Sequence, residues 1–314
     1  MNRKTTTYLL LLMPLLLLVG CEKVLDIDDN NQQRKLVVNA VPTADQRLFV
    51  NFSYTHFFLD NNNSQVVDGA ELKMYVNNVA YTPDSVSNCN YFFPVVLAPD
   101  DSLRLEATTP RGNVYAETYV PRMPNIDSVR FASFASSSFN FYTARFNLHD
   151  HANYPEYYNI TVMQRDSGER YNIWTRQIDT VDTIRNTYFL IPNNPNITAS
   201  DVTPNMPLAG YLYTGLMCTD KRIDGADEQV QLYIMHLTDT NEIAPFKHEY
   251  TLRIESATYD RFRYLISVAS ANSMSSFFAE QAQPYTNISG GVGIFAGTGS
   301  LTFRFDPDTL VQEN

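Results

Sequence analysis

Positive charge is what this chain has least of. Its 23 lysines and arginines face 34 aspartates and glutamates, a formal net charge of −11, and no basic stretch exceeds two residues. Nucleic-acid binding needs a positive footprint, so that class is excluded. Steering by an anionic membrane surface is excluded on the same ground. Cysteine is almost as scarce, at three residues, and none sits among signature residues of a nucleophile. There is no Gly-x-Ser-x-Gly elbow, no His-Glu-x-x-His and no Ser-x-x-Lys set, so the common hydrolase signatures are missing. Glycine is rare too, yet five of the 12 glycines crowd between Gly290 and Gly299. Long apolar runs are absent apart from one, at the start.

That one run is informative. Arg3 and Lys4 precede Tyr8–Val19, which is nearly all leucine. A dozen apolar residues fall short of the roughly 20 that a spanning helix needs, and fit the central region of a secretory leader. The run ends in Leu18-Val19-Gly20-Cys21, which looks like a bacterial lipobox, so residues 1–20 read as a signal peptide and Cys21 as the lipidated residue. Several acyl chains on one cysteine bind a bilayer far more firmly than one. Residues 21–33 are polar and acidic, as expected of a flexible tether. Glu22 stands where an inner-membrane retention aspartate would, which points to the outer membrane, on its periplasmic or extracellular face. Taking the two leader bases from 23 leaves 21 against 34 acids, a net charge of −13. Cys89 and Cys218 then remain, either as a disulfide closing a very long loop or as two buried thiols.

The remaining chain is patterned for β-structure, with 20 Tyr and 19 Phe. Residues 35–41 read as a first strand ended by Pro42. Leu48, Val50, Phe52 and Tyr54 alternate with other residues, the period of a half-buried strand. Leu72, Met74 and Val76 do the same, and Asn77-Asn78 predicts a tight primed hairpin because asparagine tolerates positive φ. Residues 100–121 read as strand, Pro/Gly turn, strand. Short strands at such spacing suggest a β-sandwich over 34–121, with Pro121–Pro124 as linker. A larger β-rich domain, 125–314, follows, with strands expected at 126–131, 140–148, 157–164, 170–178, 188–191, 210–218, 229–237 and 249–254. Residues 192–207 hold four prolines and four asparagines and are expected to be irregular. Phe262, Leu265, Ile266 and Ala269 recur at helical spacing, predicting one amphipathic helix from Ser256, as N-cap, to about Asn272. The glycine-rich stretch from Asn287 to Gly297 reads as a turn feeding a buried strand that completes this second domain. It lacks the Gly-Lys-Ser/Thr ending of a phosphate cradle.

Together these residues resemble a family of Bacteroidota lipoproteins known as domain of unknown function 4249 (DUF4249). The resemblance is carried by Cys21–Asp28, Leu36–Asn39, the 101–121 hairpin, Ile126–Val129 and Asn287–Phe295, and spans nearly the whole chain after the leader. The hairpin also looks like the regulatory β-sandwich of carboxypeptidases, which implies a transthyretin- or immunoglobulin-like first domain. Members are often encoded beside TonB-dependent receptors, which implies an accessory role in uptake. The family supplies no catalytic residues to carry over.

Candidate chemistry is thin. His149-Asp150-His151 is the one local cluster that could hold a metal, since residues two apart in a strand share a face, but further ligands cannot be named. Tyr154, Tyr157, Tyr158 and Trp174 are candidates for stacking on a sugar ring, against the alternative that they are core or cross-strand pairs. No cofactor is expected. The expected function is a non-catalytic outer-membrane lipoprotein that helps a TonB-dependent receptor capture or admit a ligand. A structural subunit of an outer-membrane assembly or secretion complex is the alternative, and a surface hydrolase a third reading.

Overall fold

The computed structural model describes residues 34–56, 66–135, 140–187, 189–190, 194–197, 215–235, 241–271, 283–310 and 312–313. The expected leader, Cys21, the tether and most of 192–207 lie outside these residues. The strands run in chain order as β1 (Leu36–Ala40), β2 (Arg47–Tyr54), β3 (Glu71–Val76), β4 (Val79–Tyr81), β5 (Ser85–Ser87), β6 (Asn90–Val96), β7 (Ser102–Thr109), β8 (Gly112–Tyr119), β9 (Asn125–Ala135) and β10 (Asn140–His149). They continue as β11 (Tyr157–Asn172), β12 (Gln177–Asn186), β13 (Phe189–Leu190), β14 (Leu216–Thr219), β15 (Asp227–Met235), β16 (Glu242–Ala257), β17 (Val292–Phe295), β18 (Thr298–Phe305) and β19 (Gln312–Glu313). Among the described residues one α-helix, α1 (Tyr259–Ala271), lies between β16 and β17. The protein is mainly β, as the alternating pattern and aromatic content predict.

Two sheets enclose the first core. One has the order β17-β1-β2-β6-β5 and the other β4-β3-β7-β8. Val38, Val50, Phe52, Met74, Phe93 and Leu105 meet between them, fully or almost fully buried. The predicted hairpins close as expected. Asn77 and Asn78 both adopt positive φ, 49° and 67°, between β3 and β4. Thr109 pairs with Gly112 around Pro110-Arg111.

The second core lies between sheets β13-β15-β10-β9-β19 and β12-β11-β16-β18, with β14 on the β11 edge. Phe146, Leu148, Tyr158, Ile160, Leu232 and Tyr250 fill it. Cys218 is buried in this core and Cys89 is buried at the β5–β6 turn of the other unit, and neither is part of a disulfide. Of the two readings for these cysteines, the structure has the buried thiols. Burial pushes Cys89 above its ordinary value and Cys218 up to about 12, which makes both poor nucleophiles.

Three expectations are corrected. The helix begins three residues late: Ser256 is inside β16, opposite Gly299. Thr258 is the cap, its Oγ1 accepting from Arg261 N–H at 3.4 Å. The strand expected over 170–178 contains a turn at 173–176, held by Asn172, whose Oδ1 accepts from Trp174 N–H at 3.0 Å and Thr175 N–H at 3.2 Å. This Asx turn outweighs the β-branched and aromatic residues around it.

The third correction concerns the glycine-rich stretch, which leaves the second unit altogether. β17 pairs in parallel with β1, Val37 opposite Val292 and Ala40 opposite Phe295. Just before it, Ser289 and Tyr115 of β8 exchange backbone hydrogen bonds at 2.9 and 3.0 Å. Ile288 and Phe295 belong to the first core. The chain then returns to the second unit as β18, where Thr298 N–H donates to Pro42 O and its hydroxyl to Ser256 O. Glycine is required for this path. A Cβ on Gly293, at φ 106°, would lie 2.0 Å from Val38 O, and one on Gly290, at φ 78°, 2.1 Å from Asn113 O.

Candidate functional site

Of the residues singled out from sequence, His151 and Tyr158 meet at one oxygen of Glu156, and His149 and Trp174 lie apart from them. β10 ends at His149, so the strand alternation that would align His149 with His151 stops there. His149 Nδ1 lies 2.6 Å from Asp227 Oδ1 and its Nε2 2.9 Å from Asp127 Oδ2. A carboxylate at each nitrogen favours the imidazolium form. Its pKa is raised, Asp227 contributing most and Asp127 next. With both ring nitrogens engaged by carboxylates, His149 has none turned toward His151. His151 turns elsewhere, its Nδ1 3.1 Å from Glu156 Oε2. Among the described residues no group of three or more His, Cys, Asp or Glu is placed to hold a metal.

Around Glu156 lies a buried acidic knot that sequence reasoning missed, because Asp150, Glu156 and Tyr158 are joined there by Asp220 and Gly225 from a turn more than 60 residues away. The Tyr158 hydroxyl, fully buried, stands 2.8 Å from Asp150 Oδ1 and 2.7 Å from Glu156 Oε2. The single hydroxyl hydrogen can be donated to only one of the two carboxylates at a time. Burial pushes Asp150 up to about 6, opposed by the Gly225 N–H and the Tyr158 hydroxyl and assisted by the charges of Glu156 and Asp220. Asp220, raised mainly by burial, accepts from Glu156 N–H at 2.7 Å. This knot ties the 150–158 loop to the 220–225 turn.

The aromatic candidates divide. Tyr158 is core and cannot meet a ligand. Tyr157 stacks on the helix, its ring 5.0 Å from Phe262 and 5.5 Å from Tyr259. Tyr154 lies under the Arg122 guanidinium, 5.1 Å from its ring centre. Only Trp174 stands free, 89% exposed at the tip of the β11–β12 hairpin, beside Ile173 at 55%. At this end β11 is flanked by β12 and the first residues of β16 alone, since β18 pairs only from Tyr250 onward.

The outer face of the β12-β11-β16-β18 sheet carries a groove of about 590 Å³ with Arg165, Arg253, Arg304, Thr251 and Thr302 along it and Gln46 at its edge. Two of its guanidiniums have acids of their own. Arg165 grips Asp182 through two bonds, at 2.8 and 2.9 Å, and Arg253 reaches Glu255 at 2.7 Å. Among the described residues no helix is long and apolar enough to cross a membrane.

No curated protein matches the chain. The model of one family does, over residues 22–304, and its description is domain of unknown function (DUF4249). That span takes in both units, including the β17 crossing, and the chain therefore belongs to the DUF4249 family.

Proposed function

We propose that the protein is a non-catalytic lipoprotein of the outer membrane, anchored through Cys21, that docks on a TonB-dependent β-barrel receptor and assists capture or uptake of its ligand. The leader ending in Leu18-Val19-Gly20-Cys21 supports the anchor. The likeness to Bacteroidota lipoproteins supports the compartment and the kind of partner. The observation that carries docking is the β11–β12 tip. A tryptophan 89% exposed next to an exposed isoleucine costs free energy in water, and aromatic anchors of this kind are enriched at interfaces. Asn172 fixes the turn beneath it, so little conformational entropy is lost on docking.

Purification of the full chain from its native membrane in mild detergent tests the reading. A β-barrel receptor is expected to come with it, and Trp174→Ala is expected to lose that receptor while staying folded and membrane-bound. Recovery of no β-barrel protein would overturn the proposal. So would Cys21→Ala chain that remains in the membrane fraction.

A further inference from the structure

In the sheet order β12-β11-β16-β18, β12 pairs with β11 on one side and, among the described residues, with no strand on the other. A strand so placed presents a row of unpaired amides and carbonyls. β12 is long for an edge, 10 residues from Gln177 to Asn186, and holds neither proline nor glycine. Half of it is β-branched: Ile178, Thr180, Val181, Thr183 and Ile184. Its register with β11 runs unbroken from Asn186 to Gln177, so no bulge twists the edge away. Ile178 and Ile184 are 59% and 68% exposed. Ile184 lines the groove on the outer face of the sheet, and Ile178, an even number of residues away, shares that face.

Charged side chains ordinarily guard such an edge. Here each one is drawn back to β11. Arg165 grips Asp182 at 2.8 and 2.9 Å, Arg185 reaches Asp166 at 2.9 Å, and Asp179 accepts from Asn172 Nδ2 at 2.7 Å. What remains along the edge complements itself. Laid antiparallel about a two-fold axis at Val181, the strand sets Ile178 opposite Ile184 twice, Val181 opposite Val181, Thr180 opposite Asp182, Asp179 opposite Thr183 and Gln177 opposite Arg185. Both isoleucine pairs fall on one face, and no charge stands directly opposite another. An axis at Asp182 would set that aspartate against its own copy, and one at Thr180 would set Ile178 against Asp182.

We infer that β12 pairs antiparallel with β12 of a second copy of this chain, joining the two sheets into one continuous sheet across a two-fold axis at Val181. Such a contact is isologous and closed, so it covers both open edges without propagating into a fibre. The pairing stops at Gln177 and leaves Trp174 out, so it stands or falls separately from docking on a receptor.

Disulfide trapping with the full chain, in its native membrane and after purification in mild detergent, tests both the partner and the register. Chains carrying Ile178→Cys and chains carrying Ile184→Cys, differently tagged and mixed, should cross-link to each other on mild oxidation. Neither variant should cross-link to itself, because its own cysteines would lie about 20 Å apart along the paired strands. Ile178→Lys, at an exposed position, should melt as the parent does and weaken dimerisation in sedimentation about tenfold or more. Trp174→Ala should leave the cross-link unchanged. A parent that sediments as a monomer, a mixture that gives no cross-link, or single variants that cross-link as well as the mixture would overturn the pairing. So would Ile184→Cys chain that traps a β-barrel protein in the membrane and no second copy, since the edge would then belong to the receptor.

Discussion

The side-chain amide of Asn287 pairs with both backbone groups of Phe295, as a neighbouring strand would. Its Nδ2 donates to the Phe295 carbonyl at 2.8 Å and its Oδ1 accepts from the Phe295 N–H at 3.0 Å. The same Nδ2 lies 3.2 Å from Asp260 in the first turn of α1, and Tyr285 O–H donates to the other Asp260 oxygen at 2.5 Å. Asn287 thus fastens the helix to the last residue of β17. Replacing it with alanine strands two backbone groups beside a fully buried phenylalanine, at about 1–3 kcal/mol each. Urea denaturation of Asn287→Ala should show a loss of about 2 kcal/mol or more. A loss below about 0.5 kcal/mol, the size of a neutral surface change, would mean that the clasp bears no load.

Two glycines with positive φ allow a paired comparison. Gly293 and Gly112 have φ of 106° and 139°, but a Cβ would meet Val38 O at 2.0 Å in the first and nothing within 4 Å in the second. Gly112→Ala should cost only backbone strain, about 1–3 kcal/mol. Gly293→Ala adds a backbone collision and should cost clearly more, with hydrogen exchange speeding up along β1 and β17. Equal costs would show that β17 can shift away from β1 freely.

The Asp150–Tyr158–Glu156 knot predicts a pH dependence. The folded pKa of Asp150, about 6, is above its ordinary 3.8. Its contribution to stability is therefore complete below 3.8 and is lost as pH rises through about 6. An asparagine there cannot ionise, so Asp150→Asn should be more stable than the parent at pH 8, with the advantage shrinking by pH 5. Thermal melts at the two pH values measure this, and an advantage that does not change with pH would refute it.

His149 has the same sign from the opposite charge. Its folded pKa is raised above 6.5 by the two aspartates. The imidazolium stabilises the fold below the unfolded value and the contribution fades as pH climbs through the raised folded one. His149→Gln should remove this slope on the alkaline side. An NMR titration placing the His149 pKa below 6.5 would contradict the arrangement.

Much of this architecture was legible in the residues. Alternation in Leu48–Tyr54 and Leu72–Val76 reports burial on one face, and Asn77-Asn78 reports its own turn, because both signals are local. The N-cap was misplaced because Ser256 and Thr258 are chemically alike, and only the pairing of Ser256 with Gly299 decides between them. The parallel pairing of Val292–Phe295 with β1 leaves no local trace, since its partner is over 250 residues away in the chain. Only the concentration of glycines hinted that another backbone passes close by. The open edge of β12 was equally invisible, because strand order in the sheet, and not the pattern along the strand, leaves it unpaired.

The excursion of β17 into the first sheet also determines how this protein can be cut. A fragment ending at Pro124 would leave β1 with a bare edge, its carbonyls and amides open to any passing strand, and such edges invite aggregation. A fragment starting at Asn125 would carry Ile288 and Phe295 with no pocket to receive them. The chain is thus stitched at both ends of its length, and its halves should be produced, and should melt, as one piece.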